Sequence, residues 1–236
     1  EDELSFLFPN AKISIFVASA GSGAGVKSIL DNTANFGMLA RKIRDSEKEK
    51  MKNYKEFMVA YDALTVSVNS KNPIVKIKDN LDTKTIRNIF SGEYKFWSDV
   101  DVSLPKKEIV VIIRDLSGGA YEVFQESIMG DTQISANAIQ SPSMGALGTK
   151  IAENENAIGY ASYGVYNQNR DKLFALKVDG IEPTKENILN GSYKIQRPLM
   201  FIKNSELSEN ENEFVNYIFS DLGKQIVNEN GYIAVE

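Results

Sequence analysis

Two short segments rich in glycine and serine contain the residues best suited to chemistry. The first is Ala20–Lys27, which includes the run GSGAG, and the second is Arg114–Phe124, which includes SGG. Each follows a predicted buried strand and precedes a predicted helix. A glycine-rich turn at a helix N-terminus directs backbone N–H groups at one point, where the helix adds about half a positive charge. Both segments therefore predict a site for a small anion.

Three side chains can add to these backbone donors. The hydroxyls of Ser22 and Ser117 can each donate a hydrogen bond, and the planar guanidinium of Arg114 suits an oxyanion bidentately. A ligand-free interpretation stays open for each: a tight turn between strand and helix for the loops, and a structural salt bridge for Arg114. Two such loops in one chain, one of them preceded by arginine, favour the anion site.

Nucleotide motifs do not fit the first loop. A P-loop has glycine directly before Lys-Ser/Thr, but here Val26 separates Gly25 from Lys27. Val26 also occupies the place of the third glycine of a dinucleotide fingerprint. We therefore expect no cofactor.

The composition excludes several classes of function. The 236 residues include no His and no Cys, which excludes catalysis, disulfides and metal sites that depend on those residues. A formal net charge of −5 argues against nucleic-acid binding, which needs a basic surface. Ser22 and Ser117 have no His to activate them, so we expect a protein that is not an enzyme.

The predicted elements alternate between strands and helices. Strands are predicted at Lys12–Ala18, Ala63–Asn69, Glu108–Ile113 and Ala157–Tyr163. Helices are predicted from Val26, from Leu81 to Phe90 with a cap at Asp82 or Thr83 and a stop at Ser91-Gly92, and over Ala120–Met129 and Asn212–Glu229. The charged stretch Arg41–Met58 is typical of a solvated surface helix. This order predicts an α/β fold with mostly parallel sheets.

Seven segments, in order along nearly the whole chain, resemble the phosphate-type substrate-binding proteins of bacterial ABC importers, the PstS-like family. They are Gly21–Lys27, Asn35–Arg41, Tyr61–Pro73, Thr83–Val100 (similar to TxxQLRDIFSGxxxNWxDV), Arg114–Phe124 (similar to RxxSSGTRxxF), Ala157–Tyr163 and Leu222–Val235.

The resemblance implies a two-lobed periplasmic-binding-protein fold of type II, each lobe a mostly parallel sheet flanked by helices. Residues 1–67 and 163–236 would form lobe I and residues 68–162 lobe II, with hinge crossings near Val66–Asn69 and Ile158–Ser162. The family's opening strand and its own phosphate loop would lie before residue 1. The lobes would close on a ligand and deliver it to a membrane permease.

The resemblance also implies a ligand set and a cellular setting. Phosphate or a similar small anion would contact Ser22, Gly23, Arg114, Ser117, Gly118, Gly119 and Ala120. The protein would be an extracytoplasmic monomer, secreted or lipid-anchored, with no nucleic-acid partner and no metal.

Several positions depart from the family pattern. Leu39 and Ala40 occupy positions of polar family residues, Gly118 and Ala120 lack the family's hydroxyls, and Asn35 replaces a usual Asp. Two alternatives to phosphate import therefore stay open. One is a binding protein for another oxyanion or small anionic solute. The other is a sensor or interaction protein whose cleft is blocked by Leu39 or Tyr121.

Overall fold

The computed structural model describes residues 14–18, 21–116 and 119–235. Contacts divide the chain into two compact units. Unit 1 contains the described residues up to Ala60 together with those from Pro198, and unit 2 is Tyr61–Arg197. These boundaries differ from the predicted lobe boundaries after residues 67 and 162. The predicted boundaries concern lobes that move against each other, and they stay a prediction.

The helices and strands follow one another along the chain as follows. The α-helices are α1 Ser22–Leu30, α2 Asp45–Lys48, α3 Ile74–Ile77, α4 Thr83–Ser91, α5 Trp97–Val100, α6 Gly119–Phe124, α7 Met144–Glu153, α8 Tyr163–Gln168, α9 Lys185–Leu189, α10 Glu209–Phe219 and α11 Asp221–Glu229, and a π-helical segment, Gln125–Met129, continues α6. The strands are β1 Gly37–Leu39, β2 Lys55–Asn69, β3 Asn80–Leu81, β4 Val110–Arg114, β5 Ile139–Ser141, β6 Ala157–Ser162, β7 Leu173–Ala175, β8 Lys177–Val178, β9 Gln196–Lys203 and β10 Ile233–Ala234.

The sheet of unit 2 is mixed. Strand β4 pairs in parallel with β6 on one side and with β5 on the other, whereas β2 pairs antiparallel with β6 and β7. Every residue of β6 is buried, as expected for a strand covered on both faces. The α/β class is thus as predicted, but parallel pairing is confined in this sheet to the strands around β4.

Unit 1 is built around the contact of helix α1 with strand β1, which pairs antiparallel with β9. Val26 and Ile29 of α1 bury their side chains against Leu39, Met200 and Ile202 of the two strands. A second contact joins β9 to α10, because Lys203 Nζ donates to Glu211 Oε1 at 2.7 Å.

Local signals predicted several elements correctly. Helix α4 begins after Asp82, whose carboxylate accepts the N–H of Thr85 at 2.7 Å, and it ends at Gly92 in the left-handed conformation with φ 80°. The predicted strands at Ala63–Asn69 and Ala157–Tyr163 are also present, as parts of β2 and β6.

Three predicted elements were wrong in whole or part. Residues 14–18 form no strand, and Phe16 and Val17 are exposed; none of the described strand pairings includes this segment. Arg41–Met58 is not one helix, because only α2 is helical and β2 begins at Lys55. The predicted helix Asn212–Glu229 is divided at Ser220, which adopts extended backbone angles and caps α11 by accepting the N–H of Gly223.

Candidate anion-binding loops

The first loop leads directly into helix α1. Gly21 is the N-cap residue, with extended backbone angles and no side chain to cap the helix, and its carbonyl accepts the N–H groups of Ala24 and Gly25. The first N–H groups of a helix have no partner within it. Gly23 is exposed, and a Cβ atom added there would meet no atom within 4 Å. The N-terminus of α1 is therefore open at Gly23, where a ligand could approach the backbone.

Ser22 connects this helix to the end of strand β1. Its side chain is buried, and its Oγ accepts the N–H of Ala40 at 3.1 Å. Because a hydroxyl can accept and donate at once, Ser22 keeps its O–H to donate to a ligand. The hydrogen bond also places Ala40 beside the N-terminus of α1.

Two glycines allow helix α1 and strand β1 to approach backbone to backbone. A Cβ on Gly25 would lie 2.5 Å from the carbonyl oxygen of Met38, and one on Gly37 would lie 2.5 Å from the carbonyl oxygen of Gly25. No real Cβ occupies such positions, so both glycines are required by packing. The glycine-rich sequence of this loop thus has a structural cause at Gly25 and an open surface at Gly23.

Two departures from the family pattern have a structural role in unit 1. Leu39 is buried in the core with Val26 and Ile202. Asn35 donates through Nδ2 to Glu211 Oε1 at 2.9 Å, and its carbonyl accepts from Lys203 Nζ. Asn35 therefore belongs to the contact between β9 and α10.

The second loop begins where strand β4 ends. Arg114 is the last residue of β4, and Gly119 and Ala120 are the first described residues of helix α6, both buried. Ser117 and Gly118, also predicted as ligands, lie outside the described residues. The structure thus places three of the five predicted residues of this loop.

The guanidinium of Arg114 pairs with its neighbour in sequence. Its Nε and Nη2 donate to Asp115 Oδ1 at 2.9 and 2.6 Å, and 19% of the Arg114 side chain is exposed. With 36% of the Asp115 side chain exposed as well, the ion pair is partly exposed, and such pairs are typically worth about 0–1 kcal/mol. The salt bridge foreseen as the alternative for Arg114 is therefore present.

An aromatic cluster supports the backbone of Arg114. The hydroxyl of Tyr160 on β6 accepts the N–H of Arg114 at 3.1 Å. Its ring stacks on Phe124 with centroids 4.3 Å apart and an interplanar angle of 20°, and Phe90 packs against both. Burial raises the pKa of the Tyr160 hydroxyl well above its ordinary value, although the N–H of Arg114 opposes the shift, so the phenol stays protonated.

Tyr160 was not predicted as part of the site. Its segment, Ala157–Tyr163, was interpreted as a strand, as a family match and as part of a hinge crossing. The pairing of β4 with β6 could have indicated it, since this pairing brings the Tyr160 hydroxyl to the backbone of Arg114.

The candidate site residues form two groups, one in each unit. Ser22, Gly23 and Ala40 lie in unit 1, whereas Arg114, Asp115, Tyr160, Gly119 and Ala120 lie in unit 2. Within the described residues, no three acidic side chains are grouped so that they could hold a metal ion. No described helix has the length and apolar character needed to cross a membrane.

Comparisons with known proteins agree on one group of relatives. Residues 5–221 match the model of the PBP superfamily domain. The phosphate-binding proteins PstS of Staphylococcus haemolyticus and Staphylococcus aureus are both 35% identical to the chain, over 96% and 95% of it and 73% and 70% of their own lengths.

Solved structures give the same result. A putative phosphate ABC transporter substrate-binding protein from Clostridium perfringens, solved with bound phosphate, superposes with a TM-score of 0.84 at 30% identity, covering 100% of this chain and 94% of that one. An ABC-type phosphate transport receptor from Vibrio cholerae superposes with a TM-score of 0.79 at 24% identity, covering 99% and 93%. These matches confirm the predicted α/β fold of the binding-protein type.

Proposed function

The chain belongs to the PBP superfamily and to its family of PstS phosphate-binding proteins, and on this basis we propose that it is the solute-binding component of an ABC importer for inorganic phosphate. The observation that carries the proposal is the position of Arg114. It ends a partly buried strand shortly before Gly119, the first described residue of a helix, with its backbone N–H fixed by Tyr160 and its guanidinium held, among the described residues, by a partly exposed ion pair. The full-length superposition on the phosphate-bound Clostridium perfringens protein supports the same ligand.

We propose that one phosphate is bound by residues from both units. In unit 1, the Ser22 hydroxyl and the N-terminus of α1 at Gly23 would donate to its oxygens. In unit 2, Arg114 would donate through two N–H groups. The Ser117 hydroxyl and the backbone N–H groups of Gly118, Gly119 and Ala120 would complete the set in unit 2.

Binding would require Arg114 to exchange partners. Its Nε and Nη2 donate to Asp115 Oδ1. A phosphate dianion presents two oxygens to the guanidinium in a bidentate geometry and carries more charge than one carboxylate. The exchange would cost about 1 kcal/mol or less, because the Arg114–Asp115 pair is partly exposed.

We also propose that the protein acts outside the cytoplasm as a monomeric receptor, without catalytic activity, and presents its ligand to a membrane permease. Closure of the lobes around the phosphate, with hinges near Val66–Asn69 and Ile158–Ser162, is part of the same proposal.

A second candidate is a receptor for a fully deprotonated oxyanion such as sulfate. The observation that favours it is Ala40, whose N–H binds Ser22 and whose side chain is a methyl group. A hydrogen-bond acceptor beside the ligand can select a protonated oxyanion by accepting its O–H, and Ala40 has no side-chain acceptor. Selectivity against sulfate would then depend on other residues.

Isothermal titration calorimetry of protein stripped of ligand by unfolding and refolding separates these candidates. Phosphate import predicts heat with phosphate and an affinity for sulfate at least tenfold weaker. Stronger binding of sulfate would favour the second candidate, and no heat with either anion would refute both. Nitrate, which is planar and singly charged, is a suitable negative control.

A further inference from the structure

A basic surface lies on unit 1, in the stretch of chain that directly follows Ala40. Residues 41–55, here named the basic segment, contain seven Lys and Arg and three acidic residues, a formal charge of +4 in a chain whose net charge is −5. The other residues of the chain together therefore carry −9. This charge asymmetry was singled out in the sequence only as a solvated face.

The structure shows how the basic segment displays its cations. Arg41 is buried and donates through both terminal nitrogens to Glu47, at 2.8 Å each. Glu47 also accepts the N–H of Arg44, which fixes the start of helix α2. The Arg41–Glu47 pair holds the start of helix α2, and the lysines that follow it, Lys48, Lys50 and Lys52, are exposed to solvent.

Five cations of the segment are exposed and three of them have no ionic partner. Lys42, Lys50 and Lys52 form no ion pair with any residue that the structure describes. The exposed acidic side chains of the segment are Asp45 and Glu49. Beside the segment, Glu206 pairs with Lys55, and the exposed Glu56 follows Lys55 in sequence. The five exposed cations still outnumber the exposed acidic side chains Asp45, Glu49 and Glu56.

The basic segment lacks the anchors of a protein–protein interface. Such interfaces have buried aromatic or apolar side chains at their centre. Here Met51 is buried in the core, Ile43 is half-buried and packs against it, and no strongly exposed large apolar side chain of the described residues lies in the segment. Clusters of four to eight Lys and Arg without apolar anchors fit anionic lipid headgroups, where each cation contributes about 1 kcal/mol.

We propose that the basic segment binds the anionic headgroups of a lipid bilayer and holds unit 1 against the membrane surface. Lysine suits this partner because its ammonium is a point charge on a flexible chain that needs no fixed geometry. The remainder of the protein is acidic and is repelled by the same surface, so the segment would orient the molecule as well as retain it. Attraction would extend over about one Debye length, roughly 8 Å at physiological salt.

Co-sedimentation of the full chain with vesicles tests the proposal. Vesicles of phosphatidylcholine with about one third phosphatidylglycerol should bind the protein at low salt, and pure phosphatidylcholine vesicles should not. The triple variant Lys42→Glu, Lys50→Glu and Lys52→Glu should bind at least about a hundredfold more weakly, since each lost cation is worth about fivefold. High salt should have the same effect on the wild-type protein.

The matched control changes net charge equally on unit 2. Lys71, Lys76 and Lys107 are also exposed, and their simultaneous replacement by Glu should leave vesicle binding within a few fold of wild type. Equal loss in both variants, or no binding of the wild-type protein to anionic vesicles, would overturn the proposal. Unchanged far-UV circular dichroism and cooperative urea denaturation confirm that both variants are folded, and replacement of the same lysines by Gln provides a milder second test.

Discussion

The two glycine-rich loops differ in how they are held and in which groups they could offer to an anion. The loop of unit 1 is held by backbone contact, with Gly25 and Gly37 in close approach and Ser22 bonded to Ala40, and its one cation among the described residues, Lys27, pairs with Asp31, the C-cap residue of the same helix. The loop of unit 2 offers the charge of Arg114, whose backbone is fixed by Tyr160 on an aromatic base. Under the proposed function, unit 1 would supply shape and neutral donors, whereas unit 2 would supply the charge of Arg114.

The largest expected effect follows from removal of that charge. Arg114→Met should weaken phosphate binding about a hundredfold or more, because hydrogen bonds to charged groups contribute about 1.5–3 kcal/mol each. The free energy of unfolding should change by less than about 1 kcal/mol, since the lost ion pair with Asp115 is accessible. Calorimetry and urea denaturation measure the two quantities.

Two controls sharpen this result. Arg114→Lys keeps the charge but not the planar fork, so its affinity should lie between those of the wild type and Arg114→Met. Arg170→Met changes an exposed arginine that contacts Asn167 and Tyr166, and it should leave phosphate binding unchanged. Wild-type phosphate affinity in Arg114→Met would show that Arg114 does not supply the charge that binds the anion.

The backbone contact of unit 1 predicts opposite responses of two neighbouring glycines. Gly25→Ala should lower the free energy of unfolding by about 1–3 kcal/mol, because its Cβ would overlap the Met38 carbonyl. Gly23→Ala should be neutral or stabilising by up to about 1 kcal/mol, because its Cβ enters open space and alanine favours the helix. Equal effects in urea denaturation would show that the helix–strand contact does not hold the loop.

Acid should weaken unit 1 through Glu211. Burial raises the pKa of this carboxyl, but the hydrogen bonds from Lys203, Ser208 and Asn35 outweigh burial and bring it to about 2. A lowered pKa in the folded state means stability that is present above the ordinary value of 4.5 and is lost as the pH falls toward 2. The free energy of unfolding should fall by about 1–2 kcal/mol over that range.

Glu211→Gln is the variant that checks this assignment. It should be less stable than the wild type at neutral pH, and its stability should depend less on pH below 4.5. A variant with the full acid sensitivity of the wild type would assign the effect to other carboxylates.

The smallest effect is expected at the aromatic base of the second loop. Tyr160→Phe removes the acceptor of the Arg114 N–H and keeps the stacked ring, so it should cost about 1 kcal/mol of stability. Phosphate affinity should fall a few fold, because Arg114 is then less well positioned. An unchanged affinity would show that the Arg114 side chain is placed by other contacts.

The accuracy of the sequence predictions depended on how local each signal was. The limits of helix α4 were predictable because Asp82 and Gly92 act within one turn. The division at Ser220 was missed because the apolar spacing continues across it, from Phe214 through Ile218 to Leu222, although serine is a residue type that favours the N-cap position. The role of Tyr160 and the burial of Leu39 depend on contacts between elements, which the spacing of residues along the chain does not contain.

The central claim is that Ser22 and Arg114 bind the same anion, and a crystal structure of the protein grown with phosphate tests it most directly. We predict phosphate oxygens about 2.7–3.2 Å from Ser22 Oγ and from the guanidinium nitrogens of Arg114, with at least one bond between Arg114 and Asp115 replaced. A phosphate in contact with only one of the two residues would contradict this account. A phosphate bound elsewhere, with Arg114 still paired to Asp115 alone, would contradict it equally.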